Sequence, residues 1–303
     1  VRIAITGATG FIGTHLVRYW MDTHRLMVLG RDREKLEHAF QDDPVQLEQT
    51  AYNEDHLAGV FDGVEAVVHL AAWRPQSGDS VLAPEPLQVN PPLTGKVLRA
   101  AGPAGVDTVC RTSTILVYPR EDGPFTEEAA DPFNAYGVSR YAGDQLGEMA
   151  DGEYPEMNVV SLRLGSVYGR GGSGVLMDFV QQAKNGEALT VHGQGESIRD
   201  FIHVDDVTRA IEQSLTAEVS GIFNIGAGGD TISDVAETVA RGFGTDVQMH
   251  YDTSISEDVF AHVMDCSRAN KELGWTMEKP LHDGIMNVID RMRFQRDENS
   301  TPQ

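Results

Sequence analysis

Val1-Arg-Ile-Ala-Ile-Thr6, followed at once by Gly7-Ala-Thr-Gly10-Phe-Ile-Gly13 and then Thr14-His-Leu-Val-Arg-Tyr-Trp20, decides the fold. The first six residues are an apolar, β-branched run with the pattern of a buried strand. Three glycines interrupt it, and helical spacing follows. In such a turn one glycine supplies positive φ, one lets the backbone approach a pyrophosphate and one lets the helix pack closely on the strand. The open N–H groups and the dipole of the helix favour the anion. A glycine triplet alone is weak evidence; the strand before it and the helix after it make it specific.

Outward from this stretch the same rhythm repeats. Arg25-Leu-Met-Val-Leu-Gly30 reads as a second strand, Val45–Thr50 as a third, Glu54–Phe61 as a helix and Ala66-Val-Val-His-Leu-Ala-Ala72 as a fourth strand. Strands alternating with helices predict a parallel sheet covered on both faces. The residues after the second strand address the ribose end of a dinucleotide. A carboxylate there would bind the 2′-hydroxyl of NAD, whereas a small residue followed by Arg accepts a 2′-phosphate. Gly30-Arg31, with Arg33 nearby, favours NADP over NAD; Asp32, and a reading of both arginines as solvated loop charges, leave the choice open. Ala71 and Ala72 stand at the sheet edge where open α/β folds hold ligands, while a lone His69 reads as a packed core histidine.

Composition bounds the class. The 303 residues are enough for one large domain or two intimate ones. No run of about eighteen apolar residues is present and the chain enters a strand directly, so neither a membrane span nor a signal peptide is expected and a cytoplasmic location is. A net charge of −22 argues against nucleic acid and anionic membranes as partners. Only five of the 24 basic residues are Lys, a balance that suits a high-salt cytoplasm and equally an ordinary acidic protein. Cys110 and Cys266 lack metal-ligand spacing and read as reduced thiols, and no metal is expected. The polar stretch 297–303 reads as a disordered tail.

The next unit carries chemistry. Thr108-Val-Cys-Arg-Thr-Ser-Thr114 reads as a strand that delivers Ser113 and Thr114 to the ligand edge, and Ala135-Tyr136-Gly-Val-Ser-Arg140 opens a helix. Tyr136 and Arg140, four apart, share a helical face. A tyrosine there can exchange a proton with a substrate hydroxyl, given a nearby cation and the nicotinamide charge, and Thr114 can hold the same oxygen.

Gly7–Gly13, His69-Leu-Ala-Ala72, Thr112-Ser-Thr114, Tyr136-Gly-Val-Ser-Arg140, Arg163-Leu-Gly-Ser-Val-Tyr-Gly169 and Arg199-Asp-Phe-Ile-His-Val-Asp-Asp206 occur in the order and spacing of the extended short-chain dehydrogenase/reductases. More narrowly, the chain resembles the NAD-dependent epimerase/dehydratase group that acts on nucleotide sugars, as in the UDP-glucose 4-epimerases, from residue 1 to about 290, including Asp265–Trp275. The resemblance implies a doubly wound Rossmann α/β domain over 1–165, rejoined by about 197–226 through Ser197–His203 and the strand Gly221–Gly226. A smaller α/β substrate domain would lie mainly in 166–296. It also implies a homodimer through helices near 90–101 and 136–150.

For the site, the resemblance implies Tyr136 as acid/base, Thr114 as its hydroxyl partner and Arg140 beside them. The cofactor would be held by Gly7, Thr9, Gly10, Phe11, Ile12, Gly13, Arg31, Leu70, Ala71, Ala72 and Asn90 together with Tyr136 and Arg140. The substrate would meet Ser113, Thr114, Ser166 and Arg199. For Arg199 a structural ion pair with Asp200, Asp205 or Asp206 is the plain alternative.

Departures from the family pattern are as informative. The family's Lys, four after the Tyr, is Arg140 here, which keeps the charge but not the ammonium geometry, so either reduced activity or a site adjusted around Arg is expected. Thr50-Ala-Tyr52 lacks the acidic residue that meets adenine. Ile115-Leu116 stand where dehydratases carry Asp-Glu and decarboxylases keep the Glu; neither moves a proton, so dehydration and decarboxylation are not expected. Ser166 replaces a usual Asn, and the stretch Glu257-Asp-Val-Phe-Ala-His262 lacks a further phosphate-binding Arg. The leading expectation is an NAD(P)-dependent epimerase of a nucleotide sugar. A dehydrogenase of a free sugar or sugar acid and a non-catalytic NAD(P)-binding regulator are the alternatives.

Overall fold

Glycine placement and strand pairing set the architecture. The computed structural model describes residues 1–76, 79–244, 247–255 and 259–298, with side chains as far as residue 292. The first half runs β1 (Arg2–Thr6), α1 (Phe11–Trp20), β2 (Arg25–Gly30), α2 (Arg33–Phe40), β3 (Gln46–Gln49), α3 (Glu54–Phe61), β4 (Ala66–His69), α4 (Glu85–Ala101), β5 (Thr108–Thr114), α5 (Ala135–Glu153) and β6 (Asn158–Leu164). The second half runs β7 (Ser166–Tyr168), α6 (Val175–Asn185), β8 (Leu189–His192), β9 (Ile198–Arg199), β10 (Phe201–His203), α7 (Val204–Thr216), β11 (Gly221–Ile225), β12 (Asp230–Thr231), α8 (Ile232–Phe243), β13 (Met249–Asp252), β14 (Ala261–His262) and α9 (Leu281–Glu298).

Seven parallel strands form the main sheet in the order β11-β6-β5-β4-β1-β2-β3. The order reverses between β1 and β4, so the crevice at their carboxyl ends is the place where such a sheet takes a ligand. Alternation along β1 feeds both layers. Ile3 and Ile5 pack on one face with Leu16, Trp20, Val207 and Ile211 of α1 and α7, and Ala4 packs on the other with Leu57, Phe61, Val97 and Leu98 of α3 and α4. A separate core, built from Phe179, Val180, Leu189, Val191, Val239 and Ile289, joins α6, α8 and α9 to the small sheet β8-β13.

Several boundaries differ from the sequence reading for identifiable reasons. The fourth strand ends at His69 rather than Ala72, because the Ala71 amide turns to the Thr6 Oγ1 at 3.2 Å instead of a backbone partner. The first helix starts at Phe11, three residues early. The segment Ser197–His203 does not rejoin the main sheet. The edge of β6 is already taken by β11, so β9 pairs with β12 and β14 while β10 pairs with β7. The chain leaves the sheet at Gly165, whose amide bonds Ile225 O at 3.0 Å while the next, Ser166 N, bonds Asp200 O at 2.6 Å. A Cβ at Gly165 would lie 2.6 Å from that same oxygen. Residues 299–303, most of the expected tail, lie outside the described residues, and 297–298 belong to α9.

Among the described residues no helix is long and apolar enough to cross a membrane. Cys110 and Cys266 are unbridged, and burial pushes both thiols up to about 12.

Candidate active site

The turn between β1 and α1 forms one wall of a cleft of about 1490 Å³. That exceeds the 300–1,000 Å³ of an ordinary small-molecule pocket and leaves room for a dinucleotide beside a second ligand. Gly7 sits at φ +71°, and a Cβ there would be 2.6 Å from the Ala71 amide. At Gly13 a Cβ would meet the Gly7 carbonyl oxygen at 2.5 Å. Gly10 is the N-cap of α1 and no side chain caps that helix, so its first N–H groups face the cleft without an intrahelical partner. These features fit a pyrophosphate.

Thr9, Phe11, Ile12, Leu70, Ala71 and Ala72 line the same wall. Their position is held from below by a buried chain: Thr6 Oγ1 bonds His69 Nδ1 at 2.8 Å, and His69 Nε2 reaches Thr94 Oγ1 of α4 at 3.2 Å. Burial, with Arg111 and Arg140 nearby, holds His69 well below its ordinary pKa, so it acts as a neutral core histidine. Of the charged residues after β2, only Arg31 lines the cleft. Asp32 caps α2 by accepting from Lys35 N, and Arg33 pairs with Glu37 at 2.7 Å. Ala51 and Tyr52 line that end too, Tyr52 with φ +56°.

Ser113, Thr114, Tyr136, Arg140, Ser166 and Arg199 all reach the cleft from β5, α5, β7 and β9. Asn134 caps α5 through Gly137 N at 2.7 Å, which starts the helix one residue before Tyr136. Thr114 Oγ1 accepts from Leu116 N at 3.3 Å, so the hydroxyl is held at the strand end. Arg140 is 3 % exposed, and its buried Nε has no hydrogen-bond partner in the protein. A buried, unmatched guanidinium N–H is costly and calls for an acceptor from outside the chain. A ribose hydroxyl fits that demand, which is the second feature matching a nicotinamide dinucleotide.

Asn90 is the exception among the expected cofactor residues, since it does not line the cleft. Its Oδ1 accepts from Trp73 N at 2.7 Å, and its Nδ2 donates to Trp73 O and to Ser139 Oγ. It ties the loop after β4 to α5, one step behind the surface that the family resemblance assigned to it.

Arg199 lays its guanidinium over the Phe260 ring at 4.3 Å and donates to Ile198 O and Phe260 O. The three carboxylates named with it in the sequence reading have partners of their own. Asp200 accepts from Ala227 N and Met264 N, Asp205 pairs with Lys279, and Asp206 pairs with Arg209. Of the stretch 257–262, residues 257 and 258 lie outside the described residues, while Phe260 and His262 stand beside Arg199 and Arg120.

Beneath α5 lies a network that spacing did not reveal. Asp144, fully buried, is held between Arg111 and Arg163, with Arg163 Nε at 2.9 Å. Arg111 also reaches Ser161 Oγ and the Arg140 carbonyl, and Arg163 reaches the Tyr118 hydroxyl and the Glu127 carbonyl. Burial pulls Arg111 down to about 10 despite Asp144, because Arg140 and Arg163 also face it. For Arg163 burial works the same way but Asp144 and Tyr118 outweigh it, and its pKa rises.

Three buried histidines make the fold acid-sensitive. Burial holds His203 and His262 down to about 4 and His69 lower than its ordinary value. Unfolded, each takes a proton near pH 6.5. Below that pH the unfolded chain therefore binds more protons than the folded one, and stability falls as pH drops from about 6.5 towards 4. Glu127 and Asp200, raised by burial, act in the opposite sense, but only in the carboxylate range. The melting temperature should drop between pH 7 and pH 5; an unchanged value over that interval would refute the role given to these histidines.

The described lining of the cleft is rich in cations although the chain is acidic. Among its described lining residues are Arg31, Arg74, Lys96, Arg120, Arg140 and Arg199 against one carboxylate, Asp178. Arg74, Lys96, Arg120 and Trp73 escaped the sequence reading, since none sits at a telling spacing.

A parallel sheet with a reversal between β1 and β4, a glycine cradle at that reversal and a cleft lined by Tyr136 and the buried Arg140 define a dinucleotide-binding α/β protein. Residues 3–226 match the NAD dependent epimerase/dehydratase family, and the chain belongs to it. It is 28% identical to a UDP-glucose 4-epimerase of Mycolicibacterium smegmatis over 97% of this chain and 99% of that protein. It is 25% identical to UDP-glucuronic acid decarboxylase 1 of Xenopus tropicalis over 100% of this chain and 74% of that protein. Among solved structures, a UDP-glucose 4-epimerase of Thermotoga maritima with UDP-glucose superposes with a TM-score of 0.81 at 26% identity, covering 98% of this chain and 100% of that one. A decarboxylase among these relatives leaves the exclusion of decarboxylation and dehydration without support from the comparisons.

Proposed function

We propose that the protein is an NAD(P)-dependent epimerase of a nucleotide sugar. The observation that carries this reading is the cleft itself: six cations against one carboxylate among its described lining residues, in a chain of net charge −22, with volume for a dinucleotide and a second phosphate-bearing ligand. Bound nicotinamide would supply the hydride acceptor and donor. Tyr136 takes the proton from a sugar hydroxyl and returns it after the sugar has presented its other face, and Thr114 holds that oxygen. Arg140 binds the ribose hydroxyls and keeps positive charge beside Tyr136. Ser113, Ser166 and Arg199 hold the substrate. Ile115 and Leu116 line the cleft where a proton-transferring pair would serve elimination, which supports epimerisation ahead of dehydration or decarboxylation.

Finer features belong to the same proposal. Residues 1–165 with β11 form the cofactor half and most of 166–296 the substrate half. Arg31, alone of its neighbours in lining the cleft, supports NADP over NAD. The exposed faces of α4 and α5, with Leu87 and Met149 43% and 65% exposed, suit a homodimer. The acid excess suits a salt-rich cytoplasm.

The test is to incubate the purified protein with NAD or NADP and a panel of UDP-sugars and free sugars, at low and high salt, with product chromatography, nicotinamide absorbance and solution mass recorded. An isomerised UDP-sugar without accumulating reduced nicotinamide is expected. Reduced cofactor accumulating with a free sugar would replace the proposal with a dehydrogenase, and cofactor binding without any turnover would replace it with a regulator.

A further inference from the structure

Tyr52 follows β3 in the left-handed backbone conformation that a bulky residue rarely adopts, at φ +56°. Three bonds keep it there. Its N–H donates to Thr50 Oγ1 at 2.9 Å, Thr50 N bonds Gly30 O at 2.9 Å, and Asn53 beside it caps α3 through Asp55 N at 3.0 Å. So directed, the side chain turns back along the sheet edge from β3 past β2 towards the turn after β1. Its hydroxyl donates to Leu29 O at 3.5 Å, with the Gly7 N–H and the Arg31 charge facing it. The residue is only 6% exposed and belongs to the core layer of Leu29 and Leu57, yet it lines the cleft together with Gly7, Gly30 and Arg31.

We infer that Tyr52 is a specificity-determining residue for the cofactor, walling the adenosine end of the cleft with a neutral ring that favours a 2′-phosphate over a 2′-hydroxyl. The inference rests on the NADP reading and deepens it. In this fold the adenosine ribose lies at the carboxyl end of β2, where a carboxylate accepts from its 2′-hydroxyl or an Arg takes a 2′-phosphate. A hydroxyl needs an acceptor there, whereas a phosphate needs donors. Tyr52 directs its oxygen to the backbone of Leu29 and Gly7, so the ring it adds to the wall offers a ribose hydroxyl no carboxylate. Burial raises the phenol above its ordinary pKa, against the Gly7 N–H and Arg31, so it stays uncharged and does not repel a phosphate at neutral pH. Gly30 cannot supply the carboxylate, and a Cβ there would stand 3.2 Å from Leu36 Cδ2, which leaves little room for any side chain. Asp32 is turned to the cap of α2. What the β2 end presents to the ribose is therefore Arg31 beside an aromatic wall.

The measurement is calorimetric titration of the full chain with adenosine 2′,5′-bisphosphate and with 5′-AMP, which carry the adenosine end without the nicotinamide. Wild type, Tyr52→Asn and Tyr52→Phe are compared. Wild type should bind the bisphosphate at least about tenfold more tightly than AMP. Asn tolerates the positive φ and brings an acceptor, so Tyr52→Asn should cut that preference by about fivefold or more, chiefly through tighter AMP. Tyr52→Phe keeps the ring and should keep the preference within about twofold. A preference that survives intact in Tyr52→Asn would overturn the role of Tyr52 and leave the NADP reading standing. A preference lost in Tyr52→Phe would overturn it as well, by placing the discrimination in the hydroxyl. Equal or tighter binding of AMP by wild type would overturn both the inference and the NADP reading, and no binding of either ligand would overturn the dinucleotide reading with them. If Tyr52→Asn does not fold, wild type and Tyr52→Phe decide the matter: both must prefer the bisphosphate, and a failure in either overturns the inference.

Discussion

Tyr136→Phe is expected to lower kcat by about 10²–10⁴-fold, the usual worth of a positioned acid/base, while cofactor affinity stays close to wild type. The substitution removes one oxygen and leaves the ring. The helix start is set by Asn134 on Gly137 N and by the Tyr136 carbonyl accepting from Ser139 Oγ, and neither bond involves the phenol. The dinucleotide cradle belongs to β1, α1 and the loop after β4, so it should survive intact. A kcat within threefold of wild type would sink the assignment of Tyr136. Comparable losses in kcat and in cofactor affinity would show that the phenol mainly binds the cofactor.

Asp144→Asn should be the most damaging change outside the cleft, at about 3–5 kcal/mol, since it removes one partner of a buried ion pair and strands the others. Arg111 and Arg163 are both 1% exposed, and Arg140 lies close behind them. With a domain's whole stability at about 5–15 kcal/mol, the melting temperature should fall on the order of 10 °C. Activity should fall as well, because Arg111 donates to the Arg140 carbonyl and so fixes the helix that carries Tyr136. Replacing Asp144 and Arg111 together by Leu and Met should cost less than Asp144→Asn alone, since the stranded charge is reduced. A loss below 1 kcal/mol for Asp144→Asn would show that water or another carboxylate compensates.

The parallel sheet and its ligand edge were legible because they rest on local signals. Glycines at 7, 10 and 13 can be read for backbone geometry, and apolar runs such as Ala66-Val-Val-His69 can be read for burial. The segment Ser197–His203 was misplaced because an apolar strand does not announce its neighbour; β11 occupies the edge it was given. Asn90 was read as a ligand contact on its position, yet both ends of its amide are spent on Trp73 and Ser139. Arg111, Asp144 and Arg163 come from β5, α5 and β6, so no single stretch of sequence contains their pairing. Arg120 and Arg199 both lie over the Phe260 ring, a contact between segments far apart in the chain.

The charge layout of the cleft also governs how a ligand arrives. A phosphate-bearing molecule approaching from a distance meets the field of the whole chain, which is negative, and is turned away on average. Only within roughly a Debye length, about 8–10 Å at moderate ionic strength, do the arginines around the cleft outweigh that field. Added salt therefore screens the outer repulsion before it weakens contacts made at hydrogen-bond range. Encounter rates for anionic ligands then rise with salt over a range in which an ordinary basic binding site would lose them, so an acidic exterior around a basic cleft works as a kinetic gate that concentrated salt opens.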